Sequence, residues 1–597
     1  MNNTGELKSL RLLWTILAKS HRYQAFVEED DIRTFDLRSE HEGLPFLTIA
    51  LPSIGKALDK FHATMAWDSP TSFEKSDNGL VIYNDSVDEY QLWLALPKFL
   101  GKAIRLALEG SSQAVECVRQ LTFMFYKLEV DYDKALVAET LDRFERTDLE
   151  LQQAASNFDA QTSVQSHLAH MRRHISKVLA KADPWDIRPC HGSGATACRT
   201  KNKDKWLALR YFPKLDLVYP YADYFFYNLT HLADEYGRLE NSAESVPRAR
   251  IVLVPKDSRG PRVISCEPAE LMFIQQGLMR LMYRTIENHH LTQSEIHFTD
   301  QTINQSKARQ SSIDGLLATL DLKDASDRVS LDLVRRVFPS DWVECLEACR
   351  SESTQLPSGV IVELNKFAPM GSACCFPVEA LVFWASAQAT YRRLGVKAEV
   401  AVYGDDIIVP VAYASDVIKD FVSIGFVVNI DKSFTKGPFR ESCGGEYHTG
   451  YDVSPVRVRK VLGKSHTLIA TGADLCNLII ARFGITDSWP FIAEVQKMVG
   501  YVYPWSEIDA SCVLFGPVAR NETKFRKRWN KRFQRFEFRV LQLSTLESSN
   551  GEQAWSELLR KELTIAHRSN ETGKGTDFSE KISRPLDPGL YADIHAA

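Results

Sequence analysis

The stretch VYGDDIIVP, Val402 to Pro410, sets two adjacent carboxylates, Asp405 and Asp406, directly after Gly404 and between two short apolar runs. Neighbouring like charges repel, so the pair reads either as turn residues facing water or as a site for a cation or an electropositive substrate. Gly and Asp are common in hairpin turns because they tolerate the required φ and cap the backbone, so these residues alone leave both readings open. A third acid, Asp321, lies at the end of the short apolar strand LLATLDL at 316–322, more than eighty positions upstream. Three carboxylates from two sequence-distant elements suit a hard cation. Mg²⁺ takes oxygen ligands in near-octahedral geometry and is usually held by one or two carboxylates together with phosphates and water. Two such ions about 4 Å apart would lower the pKa of an attacking hydroxyl and stabilise a departing pyrophosphate, and Mn²⁺ suits the same oxygen ligands. In that arrangement Asp321 bridges the ions, Asp405 is the second principal ligand and Asp406 completes the site.

The elements that would carry these acids are legible between 311 and 450. The strand at 316–322 is followed by a helix through DRVSLDLVRRVF, with Ser326 as the expected cap, and by a loop containing APMGSACC. A long helix then runs from about Pro377 to Arg393, with Gly395 placed to end it. Val396, Ala398, Val400 and Val402 alternate with Lys397, Glu399, Ala401 and Tyr403, as in a half-buried strand, and IIVPV returns after the turn. Ser415 is the expected cap of DVIKDFVSIG, and GFVVNI reads as another strand. Strand, helix, long helix, hairpin, helix, strand describes an α+β unit: an antiparallel, ferredoxin-like sheet with helices on one side. That plan brings the three acids to one sheet edge. Upstream, ARIVLVPKDSRGPRVISCEP at 249–268 reads as strand, basic turn, strand, and a helix with the stripe Leu271, Ile274, Leu278 and Leu281 follows. Methionines 272, 279 and 282 are expected on its core side.

The whole chain bounds the reading more loosely. With 597 residues and 44% hydrophobic content it can bury large cores, which excludes a small binding module. The formal charge of −5 announces no nucleic-acid partner, so any such role needs local basicity. Eleven irregularly spaced cysteines and the lack of a secretory leader point to reduced thiols in a cytoplasmic compartment. Cys190, His191 and Cys198 form the one grouping with a faint metal look, but without a second pair at finger-like spacing. The first residues read as an amphipathic helix, and no run of eighteen apolar residues occurs, which argues against a membrane span. Residues 1 to about 180 mix helical periodicity with short strands, as in FLTIALPSIGKALDKF at 46–61, and carry no chemistry that pattern names.

Asp321 and Asp327 in DLKDASD, Gly371 in PMGSACC and the YGDD at 403–406 resemble motifs A, B and C of a palm-type RNA-dependent RNA polymerase. More narrowly, PFRESCGGEY at 438–447, ATLDLKDASD, GATACR at 194–199 and DQTINQ at 300–305 resemble the replicase subunit of the positive-strand RNA bacteriophages, the levivirus group. The resemblance covers about 185–460. It implies a right-hand polymerase: residues 1–310 mainly fingers with part of the palm, 311–454 the palm, 455–597 the thumb and C-terminal region. It implies template-directed RNA synthesis from ribonucleoside triphosphates in the cytoplasm of an infected bacterium, with host elongation factors Tu and Ts and a small-subunit ribosomal protein as partners. Carried over residue by residue, Asp321, Asp405 and Asp406 resemble the metal ligands, and Asp327 the acid that accepts from the ribose 2′-OH. Lys256 and Arg262 resemble the cations that grip the triphosphate, and Lys432 the lysine that protonates pyrophosphate. Gly371 and Ser372 occupy the nucleotide-binding turn. There the chain has MGSACCF where better-known members have Met-Gly-Asn-Gly, and serine for asparagine shortens the side chain that would sense the ribose. Asp324 reads as a surface acid rather than a further ligand.

Local basicity appears in KFRKRWNKRFQRFEFR at 524–539, eight Lys or Arg against one Glu with interleaved aromatics, and in RVRKVLGKSH at 457–466. The first reads as a helix or loop lying on RNA, or equally as packing with a solvated basic face. The second follows the last motif and is placed to guide a product strand. Tyr501, Tyr503 and Trp505 are either a stacking platform for initiation or interior packing. Two competing functions stand beside the polymerase. A reverse transcriptase shares the acid pair, but Asp327 sits where such enzymes carry a bulky residue. A catalytically silent RNA-binding protein is disfavoured by the intact acids.

Overall fold

In a computed structural model, the structure describes residues 4–68, 70, 80–82, 98–200, 204–206, 209–242, 246–506, 511–516, 527–532, 535–539, 541, 543–544, 559, 584–585 and 591–593. Within them the architecture is α+β, and two large hydrophobic cores divide it.

The first core gathers buried residues between Phe158 and Val428 around the helix Cys375–Leu394. That helix is apolar on nearly every face, as a central element must be, and it packs against the helix Thr162–Leu179, where the His167 and Ser386 side chains meet at 2.8 Å. Gly395 ends it in the left-handed region at φ 70, as expected. Beside it lies an antiparallel sheet in the order Leu317–Leu320, Asp406–Pro410, Ala401–Tyr403. Ala318, Leu320, Val402, Ile407 and Val409 face the first core. Alternation turns Ala401 and Ile408 the other way, onto Ala308 of the helix Thr302–Asp314. Helices therefore cover both faces of the sheet. This corrects the expectation of helices on one side; the buried alternation on both faces is the physical reason.

The second core joins parts far apart in sequence. Side chains between Leu10 and Leu128 pack with others between Phe434 and Leu514. The N-terminal region mixes helices with short strands, as the sequence suggested: Ala66–Asp68 pairs antiparallel with Leu80–Ile82, while at 46–61 a π-helical turn Phe46–Ala50 leads into the helix Leu51–Thr64. The helix His466–Val499 is long and apolar enough to cross a membrane by length and composition. Gly484 interrupts it at φ 77, and Ile469, Cys476, Ile479, Phe491 and Val495 are spent on this core. Tyr503 and Trp505 are buried here too, with the Tyr503 hydroxyl donating to the Ile469 carbonyl at 2.7 Å, so interior packing is their observed fate.

Other local expectations shift. Ser330, not Ser326, caps the helix Leu331–Val337, accepting the Leu333 N–H at 3.0 Å, while Ser326 starts a single 3₁₀ turn. The helix Val411–Ser423 begins directly after Pro410, which leaves Ser415 inside it. The strand expected over 396–402 is confined to Ala401–Tyr403. Of the methionines, Met282 is fully buried, whereas Met272 and Met279 are half-buried. The basic segment forms antiparallel strands Lys527–Asn530 and Arg535–Arg539 rather than a helix; residues 524–526 and 533–534 lie outside the described residues.

Candidate active site

The acids meet through strand register. Leu320 pairs with Ile407 and Thr319 with Ile408. Continuing that antiparallel ladder by one residue sets Asp321 across from Asp406, a position where opposed Cα atoms stand about 4.5–5.5 Å apart. The turn that follows is tight: Tyr403 pairs with Asp406, which leaves Gly404 and Asp405 as its two loop residues. Gly404 has φ 61, and a Cβ there would collide with the Phe376 ring. Asp405 is thereby pushed out into solvent, while Asp406 turns inward.

Each inward acid is held by a neighbour from another element. The strand Val427–Val428 pairs with Leu322–Lys323 and carries Asn429 to the site, where its side-chain amide donates to Asp321 Oδ2 at 2.6 Å. The Cys443 N–H donates to Asp406 Oδ1 at 3.0 Å. Asn304 and Gln305, in the DQTINQ motif, donate to the Asp406 carbonyl at 3.3 Å and the Cys443 carbonyl at 3.0 Å, which ties the acid turn to the loop behind it.

The electrostatics show a deficit of positive charge at this edge. Burial pushes Asp321 up to about 6, with Glu441 and Asp405 adding to the rise against the pull of Lys432 and Asn429. Burial pushes Asp406 up to about 7, reinforced by Asp405, Glu441 and Asp321 and opposed by the Cys443 N–H. Glu441, half-buried on the strand Phe439–Ser442, is thus a fourth acid of the site that sequence reasoning passed over. Among the described residues, no group of three or more His, Cys, Asp or Glu is arranged to hold a metal ion by itself. The all-oxygen donors and their uncompensated charge fit Mg²⁺, which relies on a few carboxylates plus substrate phosphates rather than a dedicated protein cage. In the Cys190 region the His191 ring lies 4.8 Å from that of Trp206, and Arg210 donates to Cys198 Sγ.

Cations approach from two further directions. The hairpin Arg248–Asp257 and Gly260–Cys266 presents Lys256 and Arg262, and its tip is locked by Arg259, which donates to Asp257 at 3.2 and 2.9 Å. Arg259 is held charged chiefly by those bonds and in smaller part by the field of Asp321. Partial desolvation lowers the Lys256 ammonium, and Arg262, Arg259 and Lys432 lower it further. The charge of Lys432, on the 3₁₀ turn Ile430–Lys432, is felt both at Lys256 of the hairpin and at Asp321. A fifth cation comes from the N-terminal region. Lys56 sits 4.7 Å from the centre of the Tyr126 ring and is lowered to about 8 by burial, Arg259 and Lys432. One lysine in an amphipathic helix gives no sequence signal for this.

Asp327 and the turn at 370–372 have partners of their own. Asp327 makes an ion pair with Lys366 at 3.5 Å. Gly371, at φ 126, allows its turn to lie against the Ser265 carbonyl, where any Cβ would collide. The Ser372 hydroxyl donates to Gln275 Oε1 at 3.0 Å and accepts the Cys374 N–H at 3.3 Å. Asp324 is half-buried in a left-handed conformation, φ 52, near Asp327 and Lys366. Glu379 is buried beneath the site, and burial together with Asp405 and Asp327 raises it well above the usual carboxylate range.

A family model described as the RNA replicase beta-chain matches residues 126–485, which holds all of these acids. The chain belongs to the RNA replicase beta-chain family. Its relatives in that family include the RNA-directed RNA polymerase subunit beta of Qbeta virus strain MX1, 35% identical over 342 residues, 55% of each protein. The corresponding subunit of Enterobacteria phage SP is 38% identical over 212 residues, 35% of this chain and 36% of that protein. The RNA-directed RNA polymerase beta chain of Escherichia phage MS2 is 35% identical over 210 residues, 35% of this chain and 37% of that one. The chain thus spans about half or less of the length of these replicase relatives. Among solved structures, the BmCPV RNA-dependent RNA polymerase at elongation state covers 76% of this chain and 44% of its own, at 12% identity and a TM-score of 0.39.

Proposed function

We propose that this replicase-family chain synthesises RNA on an RNA template from ribonucleoside triphosphates. The reaction is attack of a 3′-hydroxyl, or of an initiating nucleotide, on the α-phosphate, with release of pyrophosphate. The observation that carries the reading is the ladder from Leu320–Ile407, which sets Asp321 against Asp406 under a hairpin of cations. Asp321, Asp405 and Asp406 would hold two Mg²⁺ ions, or Mn²⁺, and when bound these would lower the pKa of the attacking hydroxyl and neutralise charge on the leaving group. Asn429 orients Asp321 for that task, and the Cys443 N–H fixes Asp406. Lys256 and Arg262 grip the triphosphate, with Lys56 and Arg259 extending the same positive field. Lys432 faces the same phosphates and gives a proton to the departing pyrophosphate. Asp327 accepts from the 2′-hydroxyl of the incoming ribose, with Gly371 and Ser372 shaping the turn beside it.

In this reading the sheet and the helix Cys375–Leu394 form a palm, the basic hairpin belongs to the fingers, and residues beyond 455 form the thumb. The replication complex works in the cytoplasm of an infected bacterium, with host elongation factors Tu and Ts and a small-subunit ribosomal protein as partners. The basic sequence at 524–539 is assigned to RNA contact on its composition. The test is extension of an RNA template with ribo- or deoxyribonucleotides, by the purified chain alone and then with bacterial extract. Ribonucleotide-dependent extension that the extract strengthens is expected. Preference for deoxyribonucleotides, or no incorporation under either condition, would overturn the reading.

A further inference from the structure

Lys366 is a charged side chain with no exposed surface, an arrangement that costs several kcal/mol unless the charge is paired and hydrogen-bonded. It lies in the loop between the strand Ile361–Glu363 and the helix Cys375–Leu394. Its Nζ donates to the Phe144 carbonyl at 2.9 Å and sits 3.4 Å from the centre of the Phe144 ring. The carboxylate it pairs with is Asp327, at 3.5 Å. Asp327 keeps 20% of its side chain exposed, so the pair does not seal it off completely.

The backbone around this pair is fixed from three sides. The carboxylate of Asp148, on the helix Lys134–Asn157, accepts the N–H groups of Asn365 and Lys366 at 3.0 Å and the Asn365 amide at 2.8 Å. Buried Arg350 donates to the carbonyls of Leu364 and Lys366 at 3.0 Å and of Phe367 at 2.9 Å. The Phe367 N–H reaches the Val329 carbonyl and the Leu331 N–H reaches the Asn365 carbonyl, each at 2.8 Å, zipping the loop to the residues just after Asp327. Ser372, by contrast, is committed elsewhere: Gln275 receives its hydroxyl and also the Ala373 N–H at 3.1 Å.

We propose that Lys366 is the positioning residue of ribose selection: it holds one oxygen of Asp327 so that the other stays presented to the 2′-hydroxyl of the incoming nucleotide, a task Ser372 is not free to perform. This rests on the polymerase reading above. The brace comes from an element distant in sequence, and the residue never touches the nucleotide. A site built to bond a hydroxyl discriminates against the analogue lacking it, and that discrimination depends on the acceptor staying in place.

The test uses the full chain with bacterial extract and measures the ratio of kcat/KM for a ribonucleotide to that for its 2′-deoxy counterpart. Loss of folded protein scales both substrates equally and leaves the ratio unchanged, so a purely structural role does not move it. Lys366→Met is expected to lower the ratio by about tenfold or more, and Lys366→Arg, which keeps the charge, by less. Asp327→Asn should lower it as well, and adding Lys366→Met to that variant should lower it no further. An unchanged ratio in Lys366→Met, or effects that multiply in the double variant, would overturn the inference while leaving the polymerase standing. Loss of synthesis on both substrates in both Lys366 variants would make the lysine a folding element and overturn it too. No incorporation by the wild-type chain would overturn the polymerase reading and this inference together.

Discussion

The acid edge at Asp321, Asp405 and Asp406 and the acid at Asp327 lie on neighbouring segments, and burial raises Asp321, Asp406 and Asp327 alike, but they differ in their ion-pair partners. At the edge, no described salt bridge engages any of the three carboxylates, and two of them are driven up to about 6 and about 7. Asp327 is backed by a fully buried lysine. On the proposed reading, a carboxylate that takes a divalent cation is best left without a direct ion pair, because an ammonium in contact would compete with the metal. Burial raises Asp327 above its ordinary value as well, and Lys366 is the largest influence opposing that rise. The pairing pattern separates the two tasks more sharply than burial does.

The largest expected break comes from Asp405, the exposed acid of the edge. Asp405→Asn should lower synthesis by about 10³-fold or more while RNA binding in a filter or mobility assay stays within about twofold of wild type. Retained turnover would remove Asp405 from its role. Next, Lys432→Leu should slow incorporation by about 10²-fold, the scale of a lost general acid, and the loss should shrink when the triphosphate carries a better leaving group.

The third prediction concerns stability and pH. Asp321 and Asp406 bind protons more tightly in the folded chain than at their ordinary value of 3.8. The native state therefore carries more protons than the unfolded state from about pH 4 to 7, and these groups make stability fall as pH rises through that window. Melting temperature followed across it should decline less steeply in Asp406→Asn than in wild type, and Mg²⁺ should recover the loss at the upper end. An identical slope in the variant would contradict the charge deficit. The smallest effect is expected at Ser372. Ser372→Ala removes two buried hydrogen bonds, to Gln275 and from the Cys374 N–H, at a cost of about 2 kcal/mol in stability, and should change ribo- over deoxyribonucleotide preference less than about threefold.

What the sequence made legible follows the same division. Asp321 and the YGDD turn stood out because period-two apolar runs flank them, and the basic hairpin because strands flank a charged turn. The long helix and its glycine stop were readable for similar reasons. Lys56, Glu441, Lys366 and Gln275 were not. Each lies in an element whose own pattern is ordinary, and each gains its meaning from a contact made across tens to hundreds of positions. The shared core of residues 10–128 and 434–514 was hidden for that reason as well. Ser326 and Ser415 were misread as caps because serines are common and only φ, ψ and a free N–H choose among them.

The most direct test of the contrast is Mn²⁺ binding, read by electron paramagnetic resonance in the presence of a non-hydrolysable ribonucleoside triphosphate. Wild type should bind the ion, Asp321→Asn should lose that binding, and Asp327→Asn should retain it. Undiminished Mn²⁺ binding in Asp321→Asn, or equal loss in both variants, would contradict the assignment of the unpaired edge to metal and the paired acid to ribose.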